Sequence, residues 1–289
     1  MEELRLQKYR LMFKKSYFRN LCFSYGLMLL VLFLIFIIMS SVLNNIIAAE
    51  RESMISYMST NLKNNMDDEI LRIEQLVAQI SIQDEITKLI ETNDAVSGFE
   101  EYEIVRKLKE MCVLNPTIDK IYLYKKNSGK IISSESATSI DVFYEATHNS
   151  ESFSVESWTR FLNENHNKTL TTLPNVKPGE VYITYAQTLP FSVLEERNLQ
   201  LIILLNPDRI IHETIENDAI VCEQFAILNK AGDILYSYGN LVSADEMRDF
   251  AENMNDVIKT KTSGEKVVIQ TVRSKVVSWR YVMVLSREI

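Results

Sequence analysis

LCFSYGLMLLVLFLIFIIMSSVL, residues 21–43, contains no charged side chain, and the charge-free window around it runs from Asn20 to Ala49. A helix needs about 20 apolar residues to cross the ~30 Å hydrocarbon core of a bilayer, so this run is long enough to span. Signal peptides carry apolar regions of only about 7–15 residues. Ala48-Ala49 is also a poor cleavage site, which points to a retained anchor. Six basic residues precede the run (Arg5, Lys8, Arg10, Lys14, Lys15 and Arg19), and Glu50, Arg51 and Glu52 follow it. The positive-inside rule then predicts a cytoplasmic N-terminus and an extracellular chain from about residue 44 onward. No later run is long enough for a second span, and LQLIILL (199–205) reads as a buried strand.

Past the span, apolar residues recur at Ile55, Met58, Leu62, Met66, Ile70, Ile73, Val77 and Ile80, one stripe of a helix. No glycine or proline interrupts residues 44–97, so this segment is expected to be a stalk helix. The stretch Ile55–Met66 is expected to pair with a second copy, and the stripe from about Ile70 to pack on its own domain. Lys63, Asp67, Asp68, Glu69, Arg72 and Glu74 read as the solvated side, and the Asp67-Asp68-Glu69 cluster as surface charge rather than a metal site.

The remainder alternates short helices with strands. FEEYEIVRKLKEMCVL (99–114) reads as a helix with Ile104, Leu108 and Met111 inward, stopped at Asn115-Pro116. A hairpin turns at Asn127-Ser128-Gly129. Helices follow at 139–147 and 155–164, and a polar stretch (163–180) leads into strands VYITYAQTLP and NLQLIILLNP. A second cycle has a helix at 207–217, a hairpin around Lys230-Ala231-Gly232-Asp233, and a helix over 243–258. It closes on strands KVVIQTV and VVSWRYVMVLS, the last with Trp279 inward. This order defines an α+β fold: a transmembrane helix continuing into a long stalk helix, then two stacked modules with antiparallel sheets.

The chain is 46% hydrophobic and 24% charged, enough for a packed core. Its net charge of −8 divides into about +4 in the first 19 residues and about −12 beyond. So acidic an ectodomain excludes binding to nucleic acid, which requires neutralising phosphates. His148, His166 and His212 stand alone, and Cys22, Cys112 and Cys222 are scattered, so neither a metal site nor a disulfide framework is expected. Ser128-Gly129-Lys130 lacks the spacing of a phosphate loop, and no G-x-S-x-G motif is present. These features argue against an enzyme and against a bound cofactor.

Several segments together resemble the double Cache (tandem extracellular PAS-like) sensor region of Gram-positive transmembrane receptors that precede an AraC-type regulator or a sugar-responsive sensor histidine kinase. They are KKSYFRNLCFSYGLMLL, NNMDDEILRIEQLVAQIS, IDKIYLYKKNSGKIISS, ITYAQTLP, LQLIILLNPDRI and VSWRYVMVLS. The resemblance implies a basic tail (1–19), a transmembrane helix (20–43), a stalk and dimerisation helix (44–97), a membrane-distal module (98–206) and a membrane-proximal module (207–289). It implies a ligand-sensing input domain, a homodimer through the stalk, and a cytoplasmic output reached after a segment like WRYVMVLS. The ligand site would lie in the distal module, between its sheet and short helices. Tyr122, Tyr124, Tyr144, Trp158, Arg160, Tyr182 and Tyr185 are the candidates there, since small-molecule sites combine aromatic walls with a few polar groups. Amino-acid-binding members carry a tyrosine–arginine–tryptophan motif, and SWTRFLN has Trp158 and Arg160 in another order, so a sugar or organic acid is preferred. The competing reading is a membrane-anchored structural protein whose ectodomain binds a partner.

Overall fold

The computed structural model describes residues 2–91, 97–126, 128–150, 153–177, 180–191, 198–215, 222–252, 258–262 and 265–286. The chain divides into two compact units, Met1–Ser56 and Tyr57–Ile289. Helix α1 (Glu2–Ser81) begins in the first and ends in the second. Between Phe23 and Ile47 its apolar side chains are exposed, Phe23 at 74% and Phe36 at 68% among them. By length and composition this is the one described helix able to cross a membrane.

In the second unit, α1 stops at Ser81 and α2 (Asp84–Glu91) follows after Gln83. The stalk is therefore not one helix through residue 97. Asp84 and Glu85 at the start of α2 suit the positive end of a helix dipole, and Ile86 and Leu89 are its buried residues. Helix α3 (Gly98–Leu114) opens on a capping box, with Ser97 and Glu100 bonding each other's backbone N–H, and its buried residues are Ile104 and Leu108.

Six strands form the first sheet: β1 (Ile118–Lys125), β2 (Lys130–Ser133), β3 (Ala137–Ser139), β4 (Thr169–Pro174), β5 (Val181–Leu189) and β6 (Leu199–Leu205). Their order is β3-β2-β1-β6-β5-β4, every neighbouring pair antiparallel. Helices α4 (Ile140–Thr147) and α5 (Val155–Asn163) lie between β3 and β4 in sequence. After α6 (Pro207–Ile215), the second sheet comprises β7 (Cys222–Leu228), β8 (Ile234–Tyr238), β9 (Ile258–Thr262), β10 (Glu265–Arg273) and β11 (Arg280–Ser286), in the order β8-β7-β11-β10-β9. Helix α7 (Ala244–Glu252) precedes β9.

The strand β4 lies in the segment read as a polar stretch, and β3 and β9 begin or end at the edges of segments read as helix. Residues 253–257 of the helix expected over 243–258 lie outside the described residues. TLTTLP at β4 is an edge strand whose residues are mostly half-buried, so it has no apolar run to announce it.

Each sheet turns one face towards α1. In the first, register places Tyr185, Ile203 and Ile121 in one row, all at most 1% exposed. Glu74 of α1 lies close enough to Tyr185 to help burial raise its phenol pKa. Lys168 bonds Glu74 at 2.8 Å, and the Thr117 hydroxyl donates to Glu69. In the second sheet, Ser274 Oγ (2.5 Å), Lys275 N (2.9 Å) and Tyr281 OH (3.4 Å) all donate to the Asp67 carboxylate.

These contacts correct the reading of α1. Met58, Leu62 and Met66 are 6%, 3% and 2% exposed within a single chain, so that stripe has no free face for a second copy. Lys63, Asp67 and Glu69 are buried rather than solvated, whereas Asp68 and Arg72 are exposed. The physical reason at Asp67 is the second sheet, whose Ser274, Lys275 and Tyr281 bond it.

Candidate functional site

Helix α5 begins at Ser154, whose hydroxyl accepts from Ser157 N, and places Trp158 and Leu162 four residues apart on one face. Helix α4 does the same with Phe143, Tyr144 and Thr147. Both faces cover the side of the first sheet that carries Tyr122, Ile202 and Ala186 in one cross-strand row. The small Ala186 leaves depth for the rings above it. Phe143 stacks on Trp158 (centroids 5.8 Å, 11° between planes), Tyr122 sits 4.7 Å from Phe143, and Tyr144 is 5.9 Å from Trp158.

His148, just past α4, is fully buried among these rings, 5.3 Å from Trp158 and 6.1 Å from Tyr182. Its Nδ1 lies 2.9 Å from the Pro174 carbonyl, which can only accept, so Nδ1 carries the proton. Nε2 then faces the Tyr122 hydroxyl at 3.5 Å as an acceptor. Desolvation pulls the imidazole pKa down to about 4, with Lys120 adding a little and the Pro174 carbonyl opposing it. The ring is therefore neutral near pH 7. Burial raises the Tyr122 phenol, so that group stays protonated as well.

Five buried side-chain polar atoms among the described residues make no hydrogen bond, and three are here: Thr147 Oγ1, Ser150 Oγ and Trp158 Nε1. Trp158 Nε1 is near the Tyr122 hydroxyl, but the geometry is not that of a hydrogen bond. A buried polar group left without a partner costs about 1–3 kcal/mol, so three in one place are a feature to be explained.

Of the seven residues singled out in the sequence, five meet in this chamber: Tyr122, Tyr124, Tyr144, Trp158 and Tyr182. Tyr185 does not, because strand alternation turns it to the opposite face towards α1. Arg160 is exposed on α5, two residues past Trp158 and so on another side of the helix. Phe143 and His148 were missed. A lone histidine has no motif, though the spacing of Phe143 and Thr147 on a short helix was a usable signal. Cys112 and Cys222 are both free. No group of His, Cys, Asp and Glu among the described residues is arranged to hold a metal.

An apolar helix followed by two antiparallel sheets is a fold this chain shares with solved extracellular domains of other proteins. The extracellular domain of rpHK1S-Z16, a protein assigned as a histidine kinase, has this fold with a TM-score of 0.54 and 9% identity, over 83% of this chain and 96% of that one. The extracellular domain of a second such protein, vpHK1S-Z8, gives 0.52 and 12% identity, over 83% and 91%. The ligand-binding domain of the Campylobacter jejuni chemoreceptor Tlp3, in complex with L-norvaline, gives 0.47 and 10% identity, over 81% and 91%. No protein-family model matches the chain, and no curated protein matches it in sequence.

Proposed function

We propose that this chain is the extracytoplasmic input domain of a membrane receptor, with a cytoplasmic N-terminus and a small-molecule site under α4 and α5. The observation that carries this reading is the chamber itself, where an aromatic core holds a neutral histidine and three polar atoms with no partner. A ligand bearing hydroxyl or carboxyl oxygens, such as a sugar or organic acid, would give Trp158 Nε1 an acceptor and pair both hydroxyls. Because the rings already stack on one another, entry requires α4 and α5 to shift. A ligand that favours the shifted arrangement moves the equilibrium between the two. Helix α1, bonded to both sheets, relays that movement to a cytoplasmic output, a transcription regulator or histidine kinase.

In the same reading two copies pair along α1, on its outward face. Tyr57, Asn64, Leu71 and Ala78 are exposed there and recur every seven residues, the coiled-coil period. A cysteine at Leu71 should cross-link between copies in membranes and one at Leu62 should not; equal yields would remove the pairing face.

The test of function is a thermal-unfolding screen of the full chain in lipid nanodiscs against sugars, organic acids and amino acids. A binder present at a hundredfold excess over Kd adds about 2.7 kcal/mol. Trp158→Phe, which keeps a stacking ring but loses the N–H, should lower that increment. If no compound of any class raises the melting temperature, the sensor reading fails and a partner-binding ectodomain takes its place.

A further inference from the structure

The first and second sheets meet where β4 and β5 approach β8, and a cavity of about 190 Å³ opens at that junction. Three tyrosines line it, Tyr182, Tyr236 and Tyr238, together with the carboxylates of Glu180 and Asp208. Among the described residues no lysine or arginine does. The wall at β8 is drawn in tightly by Gly239, whose φ is +77° and whose position could not take a Cβ. That atom would fall 2.2 Å from the Glu223 carbonyl oxygen.

The charge of this cavity is only partly balanced. Glu180 accepts from Asn175 Nδ2 at 3.0 Å and pairs with Lys177 at 3.5 Å. That lysine is exposed, and an exposed ion pair holds little energy. Asp208 accepts from the Tyr236 hydroxyl. Burial and the Asp208 charge both raise the Tyr236 pKa, so the phenol keeps its proton. Asp119, close to Tyr182, adds negative potential, and Arg209 reaches Asp119 at 3.6 Å.

We propose that this junction cavity, which shares only Tyr182 with the core under α4 and α5, binds a small organic ammonium compound. The wall excludes anions, since nothing on it is positive. It disfavours a bare divalent metal, which takes six or more oxygen ligands in the case of calcium. Tyrosine rings beside carboxylates whose charge is only partly balanced instead suit an alkylammonium group, held by charge and by cation–π attraction. Because residues of both sheets line the cavity, an occupant fixes one sheet against the other. The proposal goes beyond the sensor reading and stands without it.

The experiment uses the full chain in lipid nanodiscs at low ionic strength, with 1,4-diaminobutane and choline as probes, and sodium acetate, glycerol and calcium chloride as comparators. Both ammonium probes should raise the melting temperature and give saturable calorimetric binding, with acetate and glycerol inert. Asp208→Asn should weaken binding about tenfold or more, as loss of a charge partner in a recess does. Tyr238→Ala, an exposed ring on the cavity wall, should weaken binding of both ammonium probes by removing a cation–π partner even if Asp208→Asn fails to fold. Trp158→Phe should leave amine binding unchanged. No response to either ammonium probe would overturn the proposal. So would an equal or larger response to calcium or glycerol, unchanged binding in Tyr238→Ala, or loss of binding in Trp158→Phe.

Discussion

Under α4 and α5, the first sheet is cored by Tyr122, Tyr124, Phe143, Tyr144, Trp158 and Tyr182 around a buried imidazole. Under α7, the second is cored by Ala226, Leu228, Val242, Met247, Ala251, Ile269, Val282 and Val284, with no aromatic ring fully inside. Both cores sit on the side of the sheet away from α1, so topology does not account for the difference. Aliphatic side chains interlock without polar obligations, and the second core needs only volume to be stable. The first contains donors and acceptors that folding alone leaves unpaired. One core is fully paired by its own residues; the other leaves buried donors and acceptors open.

The largest effect that could break this comparison is at Trp158. Fully buried and stacked, it should lose about 3–5 kcal/mol on change to Ala, as aromatic truncations in packed cores do. Trp158→Phe, by contrast, should change stability by less than about 1 kcal/mol, because it removes an unpaired donor along with some volume. Chemical denaturation of both variants checks the pair; a Trp158→Ala loss below about 1 kcal/mol would mean the chamber is not a packed core.

His148 makes the difference between the cores depend on pH. The unfolded chain takes up this proton near pH 6.5, while the folded ring resists it down to about pH 4. Stability from this group is thus fully present above pH 6.5 and falls as pH drops towards 4, by about 3 kcal/mol in all. Urea midpoints across that range should shift in the native protein more than in His148→Gln. Parallel curves for the two would remove the histidine from the chamber's energetics.

A smaller effect tests the face each sheet shares with α1. Asp67→Asn keeps one acceptor for Ser274 Oγ, Lys275 N and Tyr281 OH but loses the charge, and should cost about 1.5–2 kcal/mol. Asp68→Asn, one residue on and exposed, should cost nearly nothing. Equal losses at the two positions would show that the carboxylate is not what holds the β10–β11 turn.

What could be read from the sequence was whatever depends on near neighbours along the chain. The membrane run declares itself by lacking charge, β5 and β6 by unbroken apolar character, and α3 by its stop at Asn115-Pro116. The tyrosines at 122, 124 and 182 fall on one side by strand alternation, so most of the chamber was legible. What escaped depends on distant partners. Asp67 looked like one of several surface acids because its partners lie more than 200 residues away. The edge strand β4 is polar because an edge need bury only part of itself. His148 is an unremarkable residue until five rings close around it.

Asp67 and Glu69 are two residues apart on α1, so they differ by about 3 Å of rise and about 200° of azimuth. One grips the second sheet and the other the first, from nearly opposite sides of the same turn. Turning the helix about its axis by 20° would carry a carboxylate roughly 2 Å sideways, beyond hydrogen-bonding reach. Small twists therefore meet resistance from both sides at once, and larger ones release both grips together. At this level α1 behaves as a shaft with a detent: it holds one angular setting firmly, and any other setting must be reached in a single step.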